Sequence, residues 1–488
     1  MCLRSQNNFS AIDISNAGIV DVVPDWFWNL SPRIVDVMPD FSSQLQLSEQ
    51  DLTSNNFWSP LLRFSANSGV LFLARNSFYG HISHLCGIMS INNSLVYLDL
   101  SSNNLSGEIP DCWKYGHNIL ALNLRNNSLS GHIPNSMGQL IRLQTLELSK
   151  NNLSGEVPLS LKNCIDLTVL NLGNNRLLGN ILAWIENLQK LKVLSLRSNL
   201  LSGNIPLQLC QLKDLKILQL SSNNFSGTIP PCNFLGMTSL EDTLSFNDYP
   251  YMAYSDSVKL TFNSREFIKH HSFILNAIDL SFNHLSGQIP NEFISLLGLQ
   301  YMNLSGNHLV GPIPPNIGEM ANLEALDLSR NSLSCTMPAS MTNLTDLAVF
   351  DVSFNHLSGE IVQGNQFNTF DNSSYIDNPQ LCGFPLSKIC SSNESLGDPH
   401  CNTEEGDEEK QGIQKEEQHG FKIPSFYLSM GLGFIVGYCG FWGSLVLNKS
   451  WRYAYFRFLG NMNDKIYVMV AVGAAKLKRK FQHQQAPK

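Results

Sequence analysis

The sequence predicts an α/β solenoid with a curved parallel sheet, joined to one transmembrane helix. Two observations carry this prediction. A leucine-containing pattern returns every 24 residues through most of the chain, as is typical of stacked coils that share one core. Beyond it, the 25 residues from Ile423 to Leu447 carry no charge, which is long enough to cross roughly 30 Å of hydrocarbon as a helix.

The repeated unit is well represented by residues 98–110, which read LDLSSNNLSGEIP. Its first apolar position recurs at Leu98, Leu122, Leu146, Leu170, Leu194 and Leu218, and then at Ile278, Met302, Leu326 and Phe350. Because side chains alternate faces along a strand, Leu98 and Leu100 should point into the core while Asp99 points out. One unit cannot bury its leucines alone, so the spacing predicts a leucine-rich-repeat horseshoe with one strand per unit. The Ile109-Pro110 that ends the unit resembles the plant-type variant of the repeat.

An asparagine and a glycine hold the same register in these units, as Asn103 and Gly107 do in this one. The amide of Asn103 can both donate and accept hydrogen bonds, so it can satisfy the backbone groups of a buried turn. Gly107 suits a tight turn. We expect both positions to be structural, and we interpret Cys335, which replaces the glycine in one unit, as local drift.

The pattern divides the chain into consecutive segments. We expect degenerate, truncated repeats without a cap at 1–91, regular repeats at 92–241, an island insertion at 242–277, the last four repeats at 278–371, a cysteine cap at 372–402, an acidic juxtamembrane segment at 403–422, the transmembrane helix at 423–447 and a basic cytoplasmic tail at 448–488. The insertion is either a surface loop or an ordered island that shapes a ligand site. The first residues lack a signal peptide's apolar stretch, so we expect an N-terminally truncated chain.

The net charge and its distribution along the chain limit the kinds of partner that it could bind. A formal net charge of -8 argues against a nucleic-acid partner, which would need an excess of Lys and Arg to neutralise phosphates. Acidic residues gather between Glu404 and Glu417, whereas the tail after Leu447 is basic. This asymmetry favours a membrane between the two segments, with the tail on the cytoplasmic side.

Cysteines indicate an oxidising compartment. Cys382 and Cys390 follow the last repeat closely, and a disulfide between them would close the last hydrophobic face. Two further pairs, Cys86 with Cys112 and Cys210 with Cys232, could form between adjacent turns, although spacing leaves the connectivity open. Eleven cysteines leave at least one unpaired, and Cys439 inside the membrane span is the candidate.

Two further patterns concern the membrane and glycans. Gly433 and Gly437 are four residues apart in the span, so they would expose a flat strip for contact with another helix, while membrane lipid surrounds the rest. Asn-x-Ser/Thr sequons predict glycosylation of an extracellular domain. The candidate glycosylation sites are Asn104, Asn126, Asn152, Asn224, Asn303, Asn343 and Asn372.

The sequence carries no sign of catalysis. The 41 residues after Leu447 (448–488) contain neither a Gly-rich phosphate loop nor a catalytic-loop motif. No nucleophile with a base and no metal-ligand spacing stands out elsewhere. We therefore expect no enzymatic activity, no cofactor and no metal, and signalling would have to pass through a partner.

A ligand would contact the outward strand positions on the concave face. A broad sheet suits a protein or peptide better than a small metabolite. For every candidate the alternative is an ordinary solvated surface residue. The charged candidates are Arg125, Glu147, Lys150, Arg197 and Arg330, and the aromatic ones are Phe282 and Phe354.

The ordered set of features resembles the plant leucine-rich-repeat receptor-like proteins, and is similar to their fungal-xylanase (EIX-type) receptor subgroup. The resemblance rests on the 24-residue repeats, the island before the last four units, the LCGFPL cap at 381–386, the acidic juxtamembrane segment and the span that begins LSMGLGFIVG at 428–437. It implies an innate-immune receptor without a kinase domain. Such a receptor pairs through its membrane helix with an adaptor receptor kinase, and its C-terminal repeats recruit a co-receptor kinase.

Three functions fit this organisation. The first is an immune receptor for an extracellular protein or peptide, located in the plasma membrane as a single-pass type I protein if a signal peptide exists upstream. The second is a developmental peptide co-receptor of the same architecture. The third is a soluble binding or inhibitor module, which the apolar span disfavours.

Overall fold

The structure is a computed structural model, and it describes residues 11–20, 48–61, 68–91, 95–181, 183–238, 257–262, 265–270 and 275–390. In this part of the chain, two long parallel sheets run side by side along the stack of repeats. We name two sheets. Sheet A contains the strands that carry the first leucine of each unit, such as Leu98, and sheet B contains the strands that follow the repeated asparagine, such as Asn103. Each complete repeat contributes one strand to each sheet.

The bounds of the elements follow the repeat. Sheet A consists of Ala11–Asp13, Ser48–Asp51, Ser68–Phe72, Tyr97–Asp99, Ala121–Asn123, Thr145–Glu147, Val169–Asn171, Val193–Ser195, Ile217–Gln219, Ala277–Asp279, Tyr301–Asn303, Ala325–Asp327 and Val349–Asp351. Sheet B consists of Tyr79–Gly80, Asn104–Glu108, Ser128–His132, Asn152–Gly155, Arg176–Gly179, Leu200–Asn204, Asn224–Thr228, His284–Gly287, His308–Gly311, Ser332–Thr336, His356–Glu360 and Gln380–Cys382.

In the described ranges, short helices follow the strands of sheet B, and in most repeats they lead to the next strand of sheet A. One is an α-helix, Leu85–Ile91. The others are 3-10 helices at Trp113–Tyr115, Asn135–Gln139, Leu159–Asn163, Ala183–Asn187, Leu207–Gln211, Leu235–Met237, Asn291–Ser295, Ile317–Glu319, Ala339–Asn343, Asn365–Thr369 and Asn372–Ser374. Several begin directly after the proline of the repeat, for example after Pro134, because proline lacks an N–H and its fixed φ suits a helix start.

The register of sheet A equals the period of the sequence. Leu98 lies opposite Leu122, and Leu122 lies opposite Leu146. Leu98 and Leu100 are 1% and 0% exposed, so the predicted inward positions are confirmed. A continuous hydrophobic core extends from Leu52 to Leu381.

The strands on either side of the insertion are neighbours in sheet A. Ile217–Gln219 pairs directly with Ala277–Asp279, and Leu218 lies opposite Ile278. Within the insertion, Ser257–Phe262 and Arg265–His270 pair as a separate antiparallel two-stranded sheet. After the insertion, Leu275 is 3% exposed and belongs to a small apolar cluster with Ile217 and Ala277.

The conserved asparagines join neighbouring coils, as expected. Asn103 Nδ2 donates to the carbonyl oxygens of Leu73 and Leu100 at 3.0 and 3.1 Å, while its Oδ1 accepts from the backbone N–H of Phe78 at 3.0 Å. The same pattern recurs along the stack. Each asparagine therefore satisfies backbone groups of two coils that no strand can reach.

The glycine of the repeat is required for steric reasons, and Cys335 is an exception to it. Gly107 has a φ of 82°, and a Cβ there would come within 2.0 Å of His81 Nδ1, so the missing side chain makes room for the previous repeat. Cys335 adopts a φ of 70° at the equivalent position and takes part in a disulfide bond. The interpretation of Cys335 as drift is therefore wrong.

The predicted cysteine pairs form. Cys86 bonds Cys112 and Cys210 bonds Cys232, each pair between adjacent coils. Cys382 bonds Cys390 in the cap, with their Cα atoms 5.1 Å apart. Among the described cysteines, Cys164 is unpaired and buried; the candidate Cys439 lies outside the described residues.

An aromatic cluster closes the core after the last complete repeat. Phe350 packs against Phe367, Phe370 and Tyr375, with ring centroids 5.1 to 5.7 Å apart. Asn378 takes the place of the repeat asparagine and accepts from the backbone N–H of Leu357 at 3.0 Å. The cap thus continues the hydrogen bonding of the stack and covers its last hydrophobic layer.

Within the described ranges, which end at 390, no helix is long and apolar enough to cross a membrane. The predicted transmembrane helix at 423–447, including Gly433 and Gly437, lies outside the described residues.

Candidate functional site

The last residue of each sheet A strand points away from the leucine core, and these residues form a column across the sheet. The column is far less exposed than the sequence suggests. Asp99 is 9% exposed and Glu147 is 5% exposed, because strands about 4.8 Å apart let neighbouring side chains cover each other. Asn123 Nδ2 donates to Asp99 Oδ2 at 3.2 Å, and Asn171 Nδ2 donates to Glu147 Oε1 at 3.1 Å. This column is a hydrogen-bonded layer rather than an open contact surface.

Glu147, one of the predicted ligand contacts, therefore has little surface to offer a ligand. Burial disfavours its charged form and raises the pKa of Glu147 from 4.5 to about 7, although the positive charge of Arg125 and the hydrogen bonds from Asn171 and Ser149 oppose the shift. With almost no exposed surface, the Glu147 carboxyl acts on its neighbours and not on a ligand.

A second column projects further because of its backbone. The residue before the conserved asparagine has a left-handed conformation in each repeat, with a φ of 55° at Arg75 and 56° at Lys150. This conformation is uncommon for residues other than glycine, and it makes the chain turn away from sheet A. Phe282, Arg330 and Phe354 stand in the same column, with φ values of 52°, 55° and 56°. The column forms one edge of the outward face of sheet A.

Three basic residues surround a polar cavity at the N-terminal end of this edge. We name it the basic pocket: Arg75, Arg125 and Lys150 line a volume of about 170 Å³ with Asp99 among its walls. The remaining lining residues are Thr53, Phe72, Ala74, Ser101, Ser102, Asn123 and Asn126. The structure thus brings together two of the predicted ligand contacts, Arg125 and Lys150.

Sequence reasoning missed Arg75 and Asp99 as parts of this pocket. A signal for Arg75 was present, because Arg75 precedes Asn76 as Lys150 precedes Asn151, so both hold the same repeat position. The position of Asp99 in the pocket wall depends on the packing of four neighbouring coils, which the repeat pattern does not show.

Aromatic residues occupy the C-terminal part of the same edge. Arg330 stacks over the ring of Phe354 at 4.3 Å, a cation–π contact, while Phe282 and Phe354 are 52% and 36% exposed. Between them in the column is Gly306, where a Cβ would come within 2.9 Å of Phe282 Cδ1. The glycine therefore gives the Phe282 ring room to lie along the edge. We name Phe282, Arg330 and Phe354 the aromatic edge.

Arg197 belongs neither to the basic pocket nor to the aromatic edge. It is three repeats beyond Arg125 at the equivalent position. Its charge acts on Asp279, where it lowers the pKa, although burial is the larger effect and leaves the pKa of Asp279 above its ordinary value. The predicted ligand residues are thus divided among three places along sheet A.

The predicted sequons differ in accessibility. Asn104, Asn152 and Asn224 are exposed at the starts of strands in sheet B, and Asn343 and Asn372 are exposed in short helices. Asn126 is exposed beside the basic pocket. Asn303 is 2% exposed, and its Oδ1 accepts from the backbone N–H of Ser305 at 3.0 Å. Because a glycan needs an accessible amide nitrogen, burial argues against modification of Asn303, and we remove it from the proposed sites.

In the described part of the chain, no group of three or more His, Cys, Asp or Glu residues could hold a metal ion.

Comparison with protein families agrees with the repeat architecture. The family described as Leucine Rich Repeat matches residues 94–115, 118–140, 142–164, 166–188, 190–212, 214–234, 275–296, 298–320 and 322–344. Receptor-like protein EIX2 of Solanum lycopersicum is 43% identical over 503 aligned residues, which cover 99% of this chain. The chain spans about half of that relative, 48% of its length. Receptor-like protein EIX1 of the same species is 38% identical over 116 residues, 24% of this chain and 11% of that protein.

Two solved plant receptor structures share the fold. The Arabidopsis receptor kinase HAESA, in complex with the peptide hormone IDA and the co-receptor SERK1, is 28% identical with a TM-score of 0.59, covering 81% of this chain and 56% of HAESA. The ectodomain of GASSHO1/SCHENGEN3 from Arabidopsis thaliana, in complex with CASPARIAN STRIP INTEGRITY FACTOR 2, is 26% identical with a TM-score of 0.58, covering 78% of this chain and 42% of that chain.

Proposed function

Because this chain belongs to the plant leucine-rich-repeat receptor-like proteins of the EIX type, we propose that it is a plasma-membrane receptor that senses an extracellular protein or peptide. The observation that carries the proposal is the edge of sheet A. It presents exposed aromatic and basic side chains along a rigid repeat array, at positions that the core does not need.

The aromatic edge suits a macromolecular ligand. Aromatic residues and arginine are enriched at protein interfaces. An aromatic ring offers a large apolar area on few rotatable bonds, and a guanidinium group can stack on a ring while it donates hydrogen bonds. Phe282 is half exposed, and Arg330 lies against Phe354. A peptide lying along this edge would bury both rings, and the Arg330 guanidinium could remain stacked while it donates hydrogen bonds.

Signalling would depend on partner kinases. An adaptor receptor kinase would contact the membrane helix at Gly433 and Gly437, and a co-receptor kinase would contact the C-terminal repeats. HAESA, which shares the fold, was solved with both a peptide hormone and a co-receptor, and this supports the same kind of assembly here. Glycans at Asn104, Asn152 and Asn224 would cover sheet B and leave the aromatic edge open.

The defence role can be tested in leaves. The full chain, preceded by an added signal peptide, is expressed and challenged with a purified fungal xylanase, and the oxidative burst is recorded. We expect a response above that of leaves without the chain. We expect the double variant Arg330→Gln and Phe354→Ala to need at least tenfold more xylanase, whereas His356→Ala, an exposed change on sheet B, should respond normally.

Two outcomes would contradict this proposal. A chain that reaches the plasma membrane but adds no response to xylanase removes the support for that ligand. An unchanged response of the double variant shows that the aromatic edge does not contact it. The developmental alternative predicts instead a growth defect in plants that lack the gene, without any change in the xylanase response.

A further inference from the structure

We propose that the basic pocket binds carboxylate side chains from an acidic segment of the extracellular protein or peptide ligand. The inference rests on the proposed function, since it assigns a chemical class to one part of that ligand. It concerns the N-terminal end of the edge of sheet A, several repeats away from the aromatic edge.

The charges around the pocket favour an anion. Arg75, Arg125 and Lys150 bring three positive charges to the pocket. The carboxyl groups that oppose them are Glu147, which interacts with Arg125, and, in the lining itself, the carboxylate of Asp99. That carboxylate is already engaged, because Asp99 Oδ1 accepts from the backbone N–H of Ser101 at 2.8 Å and Asp99 Oδ2 accepts from Asn123 at 3.2 Å. The cavity therefore has an excess of positive charge that a ligand can neutralise.

The size of the cavity restricts the ligand to a small group. Its volume of about 170 Å³ equals that of several water molecules at roughly 30 Å³ each. Pockets that enclose a whole drug-sized molecule measure about 300 to 1,000 Å³. The basic pocket can therefore take one or two carboxylates that project from a longer chain lying along sheet A.

The donor groups match carboxylate oxygens. The guanidinium groups of Arg75 and Arg125 each present a planar fork of N–H donors, which pairs with a carboxylate through two parallel hydrogen bonds. Lys150 adds a compact charge with three N–H donors. Arg125 and Lys150 are half-buried, so their attraction for an anion is screened less than at an open surface.

A glycan at Asn126 would compete with such a ligand. Asn126 lines the pocket, and its Nδ2 donates to Ser102 Oγ at 3.2 Å. Sugar attached to this nitrogen would stand at the mouth of the pocket. The exposed Ser128 completes the sequon but does not line the pocket, so Ser128→Ala prevents modification and keeps Asn126 in place.

The test measures binding of defined peptides to the full chain in detergent micelles, in the Ser128→Ala background. The probe is a fluorescein-labelled hexa-aspartate peptide followed by fluorescence anisotropy, with hexa-asparagine as the neutral comparison. We expect saturable binding of hexa-aspartate, at least tenfold weaker binding of hexa-asparagine, and a loss of affinity as salt rises from about 50 to 200 mM because the contacts are ionic.

Variants locate the binding. Arg75→Gln with Arg125→Gln should weaken hexa-aspartate binding at least tenfold, and adding Lys150→Gln should abolish it. Arg176→Gln, which removes one exposed positive charge on sheet B, should leave it unchanged. Unfolding temperatures of all variants verify that the repeats remain folded.

Three results would overturn the inference. Hexa-aspartate binding that survives the triple variant shows attachment elsewhere, and an equal effect of Arg176→Gln shows dependence on net charge alone. Preference for hexagalacturonate over hexa-aspartate would assign the pocket to an acidic polysaccharide. Failure of the carboxylate-binding inference can be distinguished from failure of the proposed receptor function. The peptide-binding experiment tests the basic pocket, whereas the xylanase response in leaves tests the receptor function and uses no variant of this pocket.

Discussion

At the residue scale, Glu147 shows how one carboxyl can make stability depend on pH. Its pKa is raised from 4.5 to about 7 because the side chain is buried between Asn123 and Asn171 in the column. An acid with a raised folded pKa binds its proton more tightly in the native state than in the unfolded chain. Its favourable contribution is complete below pH 4.5 and is lost as the pH rises to about 7.

Replacement Glu147→Gln should remove this loss, because the amide cannot ionise and can still accept from Asn171 Nδ2. We expect the variant to gain up to ~3 kcal/mol in unfolding free energy at about pH 8, and nothing at about pH 4. Urea unfolding at both pH values measures the difference. Glu156→Gln, at an exposed position just after the sheet B strand Asn152–Gly155, is the matched control, and an equal gain there would contradict a burial effect.

The repeat asparagines should be among the most sensitive single positions. Asn331 Nδ2 donates to the carbonyl oxygens of Leu304 and Leu328 at 3.0 and 3.1 Å, and its Oδ1 accepts from the backbone N–H of Leu309 at 3.1 Å. Asn331→Ala leaves these buried groups unpaired, at about 1 to 3 kcal/mol for each uncompensated group. We expect a clear drop in unfolding temperature, whereas Asn135→Ala, at an exposed helix start, should have almost no effect.

At the element scale, the cap determines whether the last coil stays closed. Phe367 is 2% exposed and packs edge-on against Phe350 at 5.1 Å. Phe367→Ala should cost about 3 to 5 kcal/mol, since it leaves a cavity that the Cys382–Cys390 loop cannot fill. Limited proteolysis should then cleave near the cap before the upstream repeats.

A phenylalanine elsewhere in the cap provides the comparison. Phe384 is 63% exposed, so Phe384→Ala should leave the cleavage pattern unchanged. If both variants were equally resistant to protease, the aromatic cluster would not hold the cap to the stack.

At the scale of the whole molecule, the stack continues across the insertion as if it were absent. Thr238 and Leu275 hold positions that would be consecutive in an uninterrupted array, because Leu218 already lies opposite Ile278. Deletion of residues 239–274 should therefore keep the repeat core and change the unfolding temperature by only a few degrees, since closing a long loop differently costs little free energy.

Circular dichroism and calorimetry of the deletion variant check this expectation. A matched control removes 239–262 only, 24 residues rather than 36, and leaves a longer connection with the same coil contacts. A large loss of stability in the full deletion alone would show that the segment 263–274 contributes to the core.

The sequence predicted the properties that recur in every repeat and missed several that do not. The period of 24 residues determined the fold class, the inward leucines and the asparagine hydrogen bonds, because stacking converts equal spacing into equal neighbours. The Cys382–Cys390 pair was predicted separately, from the short separation of the two cysteines after the last repeat. It also marked Arg125, Lys150 and the aromatic edge as outward positions. Only the tertiary structure showed that Glu147 and Asn303 are covered, that Cys335 is bonded, and that Arg75 shares a cavity with Arg125. The physical reason is that burial and charge at one position depend on the particular side chains of adjoining coils, which are distant in the chain and do not follow the repeat.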